Sequence, residues 1–250
     1  MKKPIYQRLK KQKEEGKKMI AVLIDPDKVD YSLLGATMQK ANQAHVDLIL
    51  VGGSLLTDGD LNRTIKEVKS CSTIPVILFP GSTSQISAKA DGILFLSLLS
   101  SRNAEMIIGQ QVAAAPYLRK TNLEIISTAY LLIDSGKQTT ASYMSNSNPI
   151  PANKPEIAAS TALAGTYLGM DTIYLDGGSG AQNPVPSEMI SKVKEYTNQL
   201  LFIGGGVNSI EKAENAFNAG ADIVVVGNAV ENDSSFLIEL GIVKNRFNSK

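Results

Sequence analysis

The chain is poor in the residues on which several common kinds of site depend. Its 250 residues include one cysteine, one histidine and no tryptophan. The single cysteine, Cys71, excludes a disulfide framework and a thiolate metal site. The single histidine, His45, excludes a zinc site built from several histidines and leaves a Ser-His-Asp triad one candidate. His45 precedes a predicted strand and Cys71 lies in a polar turn, so we expect neither to be catalytic.

The chain also lacks an excess of charge and any long apolar run. Lys and Arg number 25 against 24 Asp and Glu, a formal charge of +1. Proteins that bind nucleic acids usually carry a basic excess, so we expect no nucleic-acid partner. No apolar run approaches the roughly 20 residues of a membrane span. The basic amino terminus has no apolar stretch behind its charges and so does not resemble a secretory signal, and we expect a cytoplasmic protein.

The amino-terminal segment MKKPIYQRLKKQKEEGKK reads as a surface helix with Ile5 and Leu9 on its apolar face. A solvated helix is the favoured interpretation. A weak, transient attraction of its lysines to an anionic membrane surface is the alternative.

Eight short apolar runs rich in Val, Ile and Leu alternate with helical stretches. They begin at Met19, Val46, Ile74, Ala90, Leu123, Asp171, Leu200 and Ala221. Continuous apolar runs of this length are typical of parallel strands covered on both faces. Eight of them in 250 residues predict an α/β protein with one TIM (β/α)₈ barrel domain over residues 1–250. The alternative is an open doubly wound sheet, but its glycine-rich turn usually follows the first strand, whereas here such turns come last.

Two connections depart from the regular alternation. Between the third and fourth runs, Pro80–Ala90 is so short that a crossover helix barely fits. After the fifth run, the polar tract Asp134–Pro155 is long enough to be a functional lid or a mobile loop, and we leave both open. The helix before the eighth run is better defined, because Ser209 predicts its cap and Gly220 its end.

Three glycine-rich turns follow the last three runs. They are DGGSG (Asp176–Gly180), GGGV (Gly204–Val207) and GNA (Gly227–Ala229). In barrel enzymes the reactive face lies at the carboxyl ends of the strands, and phosphate commonly sits among the last loops. Glycine lets the backbone approach an anion closely, and Ser179 and Asn228 add side-chain donors. Three such turns at adjacent strand ends therefore predict a phosphate site.

Asp176 cannot serve that phosphate, because its carboxylate would repel the anion. We expect it to face a neutral part of the ligand, either as a hydroxyl anchor or as a base that removes a proton.

A second candidate site lies at the ends of the first two runs. In LIDPDK, Asp25 ends the strand and Pro26 prevents its continuation. In VGGSLLT, Ser54 and Thr57 follow a glycine pair. A carboxylate and a hydroxyl at neighbouring strand ends suit Mg²⁺, which prefers oxygen ligands. A plain turn residue is the alternative for Asp25, and Lys28 would meet phosphate or face solvent.

These motifs together resemble one enzyme family. LIDPDK, VGGS, YLDGGSGA, GGGV and GNA, in this order, are similar to the geranylgeranylglyceryl phosphate synthases and their heptaprenylglyceryl relatives. The similarity extends from Met19 to about Val230, and YLDGGSGA is its most specific part. Other phosphate-binding barrels share the later glycine turns without this combination.

The resemblance implies a Mg²⁺-dependent prenyltransferase that joins sn-glycerol 1-phosphate to a long-chain prenyl diphosphate, most often geranylgeranyl diphosphate. It implies that Asp25 and Ser54 hold the metal and that Asp25 and Asp176 are catalytic. The residues that it implies for glycerol phosphate are Tyr174, Leu175, Asp176, Gly177, Gly178, Ser179, Gly180, Gly205, Gly206, Gly227 and Asn228. It also implies a prenyl groove beside the short connection Pro80–Ala90.

One position departs from the family pattern, because many members carry glutamate where this chain has Asp176. The shorter carboxylate leaves its role as base or hydroxyl anchor open. Tyr130, at the fifth strand end, is interpreted as a core or rim residue, with a place in the glycerol site as the alternative.

Two other functions remain as alternatives. A sugar-phosphate isomerase or lyase on the same barrel would use the late turns without needing a prenyl groove. A phosphate-binding sensor would tolerate Asp25→Asn, whereas an enzyme would not. Barrels of this kind often associate through outer helices, so we expect a homo-oligomer.

Overall fold

The computed structural model describes residues 3–249 and confirms a closed parallel barrel. Each strand pairs with the next in sequence, and β8 pairs with β1. The strands are β1 (Met19–Ile24), β2 (Leu48–Val51), β3 (Val76–Leu78), β4 (Gly92–Leu98), β5 (Glu124–Leu132), β6 (Thr172–Asp176), β7 (Leu200–Gly204) and β8 (Ile223–Val226). All eight predicted runs therefore contain a strand.

The structure describes the following helices, most of which cover the outside of the barrel. They are α1 (Pro4–Glu14), α2 (Tyr31–Gln43), α3 (Leu61–Cys71), α4 (Gln110–Leu118), α5 (Thr140–Ser145), α6 (Pro155–Tyr167), α7 (Ser187–Tyr196), α8 (Ile210–Ala219), α9 (Asn228–Asn232) and α10 (Phe236–Asn248). The predicted ends of α8 are confirmed, since the Ser209 side chain accepts from the Lys212 N–H and Gly220 adopts a φ of 115°. No described helix is long and apolar enough to span a membrane.

Strand alternation divides the apolar residues into two layers. Successive side chains point to opposite faces of a strand, so Tyr174 lies inside the barrel whereas Leu175 packs outside against the helices. The outer layer between sheet and helices is the larger one. The inner layer fills the barrel below the carboxyl ends of the strands and thereby forms the floor of the open mouth.

The amino-terminal helix α1 closes the opposite end of the barrel. Leu9 is 1% exposed and packs among the inner residues of the barrel. The N–H groups of Ile5 and Tyr6 donate to the Glu124 carboxylate at 2.8 and 2.7 Å. The predicted apolar face thus exists, but the barrel covers it, so it is not presented to a membrane.

The two predicted irregularities differ in nature. The connection Pro80–Ala90 contains only a 3₁₀ turn, Thr83–Gln85, as expected. The tract Asp134–Pro155 contains the short helix α5, which Thr139 and Ser142 cap reciprocally; whether it is a lid or a mobile loop stays open. The missing helix leaves the side of the barrel beside β3 open, and residues of α5 line the space there.

Leu9→Ala tests whether α1 is part of the barrel core. We expect a loss of about 2–5 kcal/mol in the free energy of unfolding, because the change leaves a cavity at a buried position. Leu33→Ala is the matched control; Leu33 is 59% exposed, and we expect a change within about 0.5 kcal/mol. Urea denaturation measures both, and equal losses would contradict the docking of α1.

Candidate active site

A cavity of about 820 Å³ opens at the carboxyl ends of the strands. Its wall includes every predicted site residue except Leu175 and Gly177. The first and second strand ends and the last three turns therefore share one mouth. Leu175 is absent because strand alternation turns its side chain toward the outer helices.

The turns after β6 and β7 touch each other, and their glycines allow this approach. Gly205 has a φ of 77°, and a Cβ at this position would lie 2.5 Å from the Gly177 nitrogen. The same Cβ would lie 2.6 Å from the Gly178 nitrogen. A side chain is therefore excluded on grounds of both backbone conformation and space.

Two of the glycine N–H groups expected to face phosphate already have partners. The Gly177 N–H donates to the Gly204 carbonyl at 3.0 Å, and the Gly178 N–H donates to Asp176 at 2.7 Å. These N–H groups shape the turn instead of facing the cavity. The exposed end of the turn, Ser179 and Gly180, remains at the cavity wall.

Asp176 is a buried carboxylate with two donors. Its second acceptor contact is to the Tyr130 hydroxyl, which donates at 2.7 Å. Burial raises the pKa of Asp176, and the bonds from Tyr130 and Gly178 offset part of that rise. A carboxylate with a raised pKa is a stronger base than an exposed one, and Asp176 lines the cavity.

Tyr130 is a site residue whose role the sequence left open. Its ring meets Phe79 edge-on at 5.9 Å and Tyr174 at 5.6 Å, measured between ring centroids. Tyr174 stacks in turn on Phe202 at 5.7 Å inside the barrel. The rings of Phe79, Tyr130 and Tyr174 line the cavity and form its aromatic floor, and Phe202 is buried behind Tyr174.

The β1 end carries Asp25 in a tight turn. The Lys28 N–H donates to the Asp25 carbonyl at 3.0 Å, and Pro26 presets the φ of the turn. The Asp25 side chain is 18% exposed and pairs with the Lys28 ammonium at 3.3 Å. A Cβ on Gly53 would lie 3.3 Å from the Asp25 carboxylate, so this carboxylate adjoins the segment that carries Ser54.

Asp27 has a structural role in the same turn. Its carboxylate accepts from the N–H groups of Thr57, Asp58 and Gly59 at 2.8, 3.1 and 2.6 Å. Slight burial acts to raise the pKa of Asp27, but these donors lower it overall. The Thr57 hydroxyl also donates to Asp27, at 2.9 Å. Thr57 is therefore a partner of Asp27 and not a second hydroxyl for the metal.

The donor set at the first two strand ends suits a hard cation. Asp25 and Ser54 offer oxygen atoms at the cavity wall, and oxygen is what Mg²⁺ prefers. Gln85 holds the segment before Ser54, accepting from the Gly53 N–H at 3.2 Å and donating to its carbonyl at 2.9 Å. Within residues 3–249, no group of three His, Cys, Asp or Glu forms a metal cluster, so water and substrate would complete a metal's shell.

An apolar groove of about 210 Å³ continues from the cavity past the missing helix. Its apolar wall includes Pro80, Leu96, Leu98, Met106, Leu132 and Met144. Ser54, Leu55, Phe79 and Tyr130 line both spaces. The polar cavity and the groove therefore meet beside Ser54, a candidate metal ligand, and at the rings of Phe79 and Tyr130.

Comparison with known proteins identifies the family. Residues 11–244 match the PcrB family. The chain belongs to the PcrB family. This match covers the barrel from α1 to α10 and confirms the resemblance drawn from the sequence motifs.

Several curated relatives of this PcrB-family chain are named geranylgeranylglyceryl phosphate synthase. The protein of that name from Spirosoma linguale is 49% identical over 240 residues, 96% of each chain. The protein of that name from Thermococcus kodakarensis is 45% identical over 225 residues, covering 90% of this chain and 88% of its own.

Solved structures agree with the barrel. The synthase from Thermoplasma acidophilum, in complex with sn-glycerol-1-phosphate, matches with a TM-score of 0.89 and 32% identity, covering 96% of this chain and 98% of its own. Tryptophan synthase subunit alpha from Legionella pneumophila matches with a TM-score of 0.60 and 15% identity, covering 98% and 100%. The second likeness shows the fold alone.

Tyr130→Phe tests the contact that acts on Asp176 in this PcrB-family chain. The change removes a donor that favours the charged carboxylate, so the pKa of Asp176 should rise further. Carbon-detected NMR titration of the Asp176 carboxyl measures it. Tyr143→Phe, at a side chain that is 70% exposed, is the control and should leave that titration unchanged. An unchanged or lower pKa in Tyr130→Phe would show that the hydrogen bond does not tune Asp176.

Proposed function

We propose that the chain joins sn-glycerol 1-phosphate to a long-chain prenyl diphosphate, geranylgeranyl diphosphate first among them, with release of diphosphate. The observation that carries the proposal is the direct opening of the polar cavity into an apolar groove. One substrate is small and anionic, whereas the other has an anionic head and a long apolar tail. The names of the relatives support the same reaction.

Glycerol phosphate fits the side of the cavity formed by β6, β7 and β8. Ser179 and Gly180 present the exposed end of one turn, and Gly206 and Asn228 line the same space. In this proposal the phosphate lies near the donors of these turns and the glycerol hydroxyls point toward Asp176. The buried carboxylate then meets the neutral end of this substrate, as its charge requires.

The prenyl diphosphate fits the side formed by β1, β2 and β3. Its tail would lie in the groove between Leu96 and Met144, and its diphosphate beside Asp25 and Ser54. Mg²⁺ held by these two residues would neutralise charge on the departing diphosphate. The reacting carbon would then lie between the two sites, beside Tyr130 and Phe79, which line both the cavity and the groove.

The reaction then needs one bond to form and one to break. The primary hydroxyl oxygen of glycerol phosphate bonds to C1 of the prenyl chain, and the C1–O bond to diphosphate breaks, with the electron pair leaving on diphosphate. Asp176 orients that hydroxyl and accepts its proton. Holding both substrates at one mouth converts an encounter of two molecules into a step within one complex. Mg²⁺ dependence, self-association and a cytoplasmic location stay predictions.

Product formation tests the function directly. The protein is incubated with sn-glycerol 1-phosphate, Mg²⁺ and prenyl diphosphates of several lengths, and product masses are recorded. We expect an ether product and expect Asp25→Ala to lower turnover about a hundredfold or more, with glycerol phosphate binding mostly intact.

The exposed Asp58 provides the matched control, since Asp58→Ala removes a nearby carboxylate. Absence of any ether product in the wild type would reject the function. Equal loss of binding and turnover in Asp25→Ala would instead reject a metal role for Asp25.

Leu96→Trp tests the groove. Leu96 lines the groove and is only partly buried, so a larger ring would fill space needed by the tail. We expect the chain-length preference, measured as relative kcat/KM, to move toward shorter prenyl diphosphates. Leu33→Trp on the exposed face of α2 is the control. An unchanged preference in Leu96→Trp would place the tail elsewhere.

A further inference from the structure

The cavity is unusually acidic for a site that receives two anions. Five carboxylates line it: Asp25, Asp27, Asp176, Glu231 and Asp233. Among the described residues of its wall, Lys28 is the one lysine or arginine. Lys28 is therefore the cation within the wall itself, and the Lys137 ammonium lies at its edge, 4.0 Å from where a Cβ on Gly180 would be.

Lys28 lies between the two halves of the cavity. Its ammonium is 3.3 Å from the Asp25 carboxylate at the end of β1. The same nitrogen is 3.5 Å from the Ser179 hydroxyl in the turn after β6. Its side chain is 45% exposed, so solvent and ligands reach it. The Lys28 ammonium thus contacts both Asp25, the candidate metal ligand, and the turn after β6 that we propose for phosphate.

The charges of Lys28 and Asp25 also act on Glu231. Burial raises the pKa of Glu231, the Lys28 ammonium lowers it and the Asp25 carboxylate raises it. Glu231 lies on α9, directly after the turn that carries Asn228. The positive charge of Lys28 therefore also acts on the segment after β8, which carries Asn228 and Glu231.

Hydrogen bonds hold the backbone at Lys28, whereas its side chain is half-exposed. The Asp25–Lys28 turn is closed by its own hydrogen bond, and Asp27 anchors it to the loop after β2. Gly59 makes this contact close, since a Cβ there would lie 2.4 Å from the Pro26 carbonyl carbon. A lysine ammonium on a flexible stem can then exchange partners without moving the turn.

We propose that Lys28 is a cation shared by the two anion sites, paired with Asp25 in the free protein and with the phosphate at the Ser179 turn in the complex. The transfer releases the Asp25 carboxylate for the metal, so phosphate binding and metal binding are coupled through Lys28. This inference rests on the proposed function for the identity of the phosphate ligand. It assigns Lys28 a binding role and leaves proton transfer to Asp176.

Two titrations of the intact protein test the sharing. Inorganic phosphate and sn-glycerol 1-phosphate are titrated by calorimetry without metal, and Mn²⁺ is titrated by electron paramagnetic resonance without phosphate. The variants are Lys28→Gln and Lys28→Arg, with Lys66→Gln on the exposed face of α3 as the control for lost charge. Circular dichroism confirms that each variant is folded.

We expect Lys28→Gln to weaken both phosphate ligands about tenfold or more, the effect of losing one charge-assisted contact. We expect it to tighten Mn²⁺ about threefold or more, because Asp25 loses its paired ammonium. Lys28→Arg should keep phosphate affinity closer to that of the wild type, and Lys66→Gln should match the wild type.

Two results would overturn the inference. Unchanged phosphate affinity in Lys28→Gln would show that Lys28 does not bind the anion, and unchanged or weaker Mn²⁺ binding would show that it does not compete for Asp25. The proposed function fails separately, when the wild type makes no ether product although both titrations respond as stated. Normal product formation with unchanged titrations leaves the function standing and rejects the shared cation.

Discussion

The pairing of β8 with β1 is the constraint on which the site depends. In this register Val22 lies opposite Val226, so the turn that carries Asp25 and Lys28 follows one strand and Gly227 follows its neighbour. In an open sheet these turns would lie at opposite edges. Barrel closure thus allows the first and last strand ends to form one cavity. It also brings Lys28 close enough to Glu231 for its charge to act on the pKa of that carboxyl group.

The architecture was predictable because its signals are local. Apolar runs of strand length are read directly from the chain, and a glycine needed at positive φ, such as Gly205 or Gly220, is visible as a residue type. Strand order in a parallel barrel then places strand ends together without further information. The same reasoning predicts that Asp25, Ser54 and the late turns lie at one mouth, where the structure has them.

The features that the sequence did not predict depend on where side chains point and on which groups form hydrogen bonds. Leu175 belongs to a glycine-rich motif, but its side chain faces the helices because Tyr174 faces the interior. The Gly178 N–H is directed at Asp176, an intraloop bond that residue type does not reveal. Tyr130 joins Asp176 across two strands. Side-chain choices among several partners are set by packing, which a single sequence does not display.

The aromatic residues Tyr130 and Phe79 form the boundary between the polar cavity and the apolar groove. Tyr130 and Phe79 line both the polar cavity and the apolar groove, and the Tyr130 hydroxyl holds the carboxylate that faces the polar side. An apolar tail gains by leaving water for the groove, whereas phosphate gains by staying with donors and cations at the mouth. In the proposed reaction, the prenyl carbon and the hydroxyl meet at the boundary between these environments. Asp176 lies beside that boundary, because it lines the cavity and is held by Tyr130, which is the position that the proposed base or hydroxyl anchor requires.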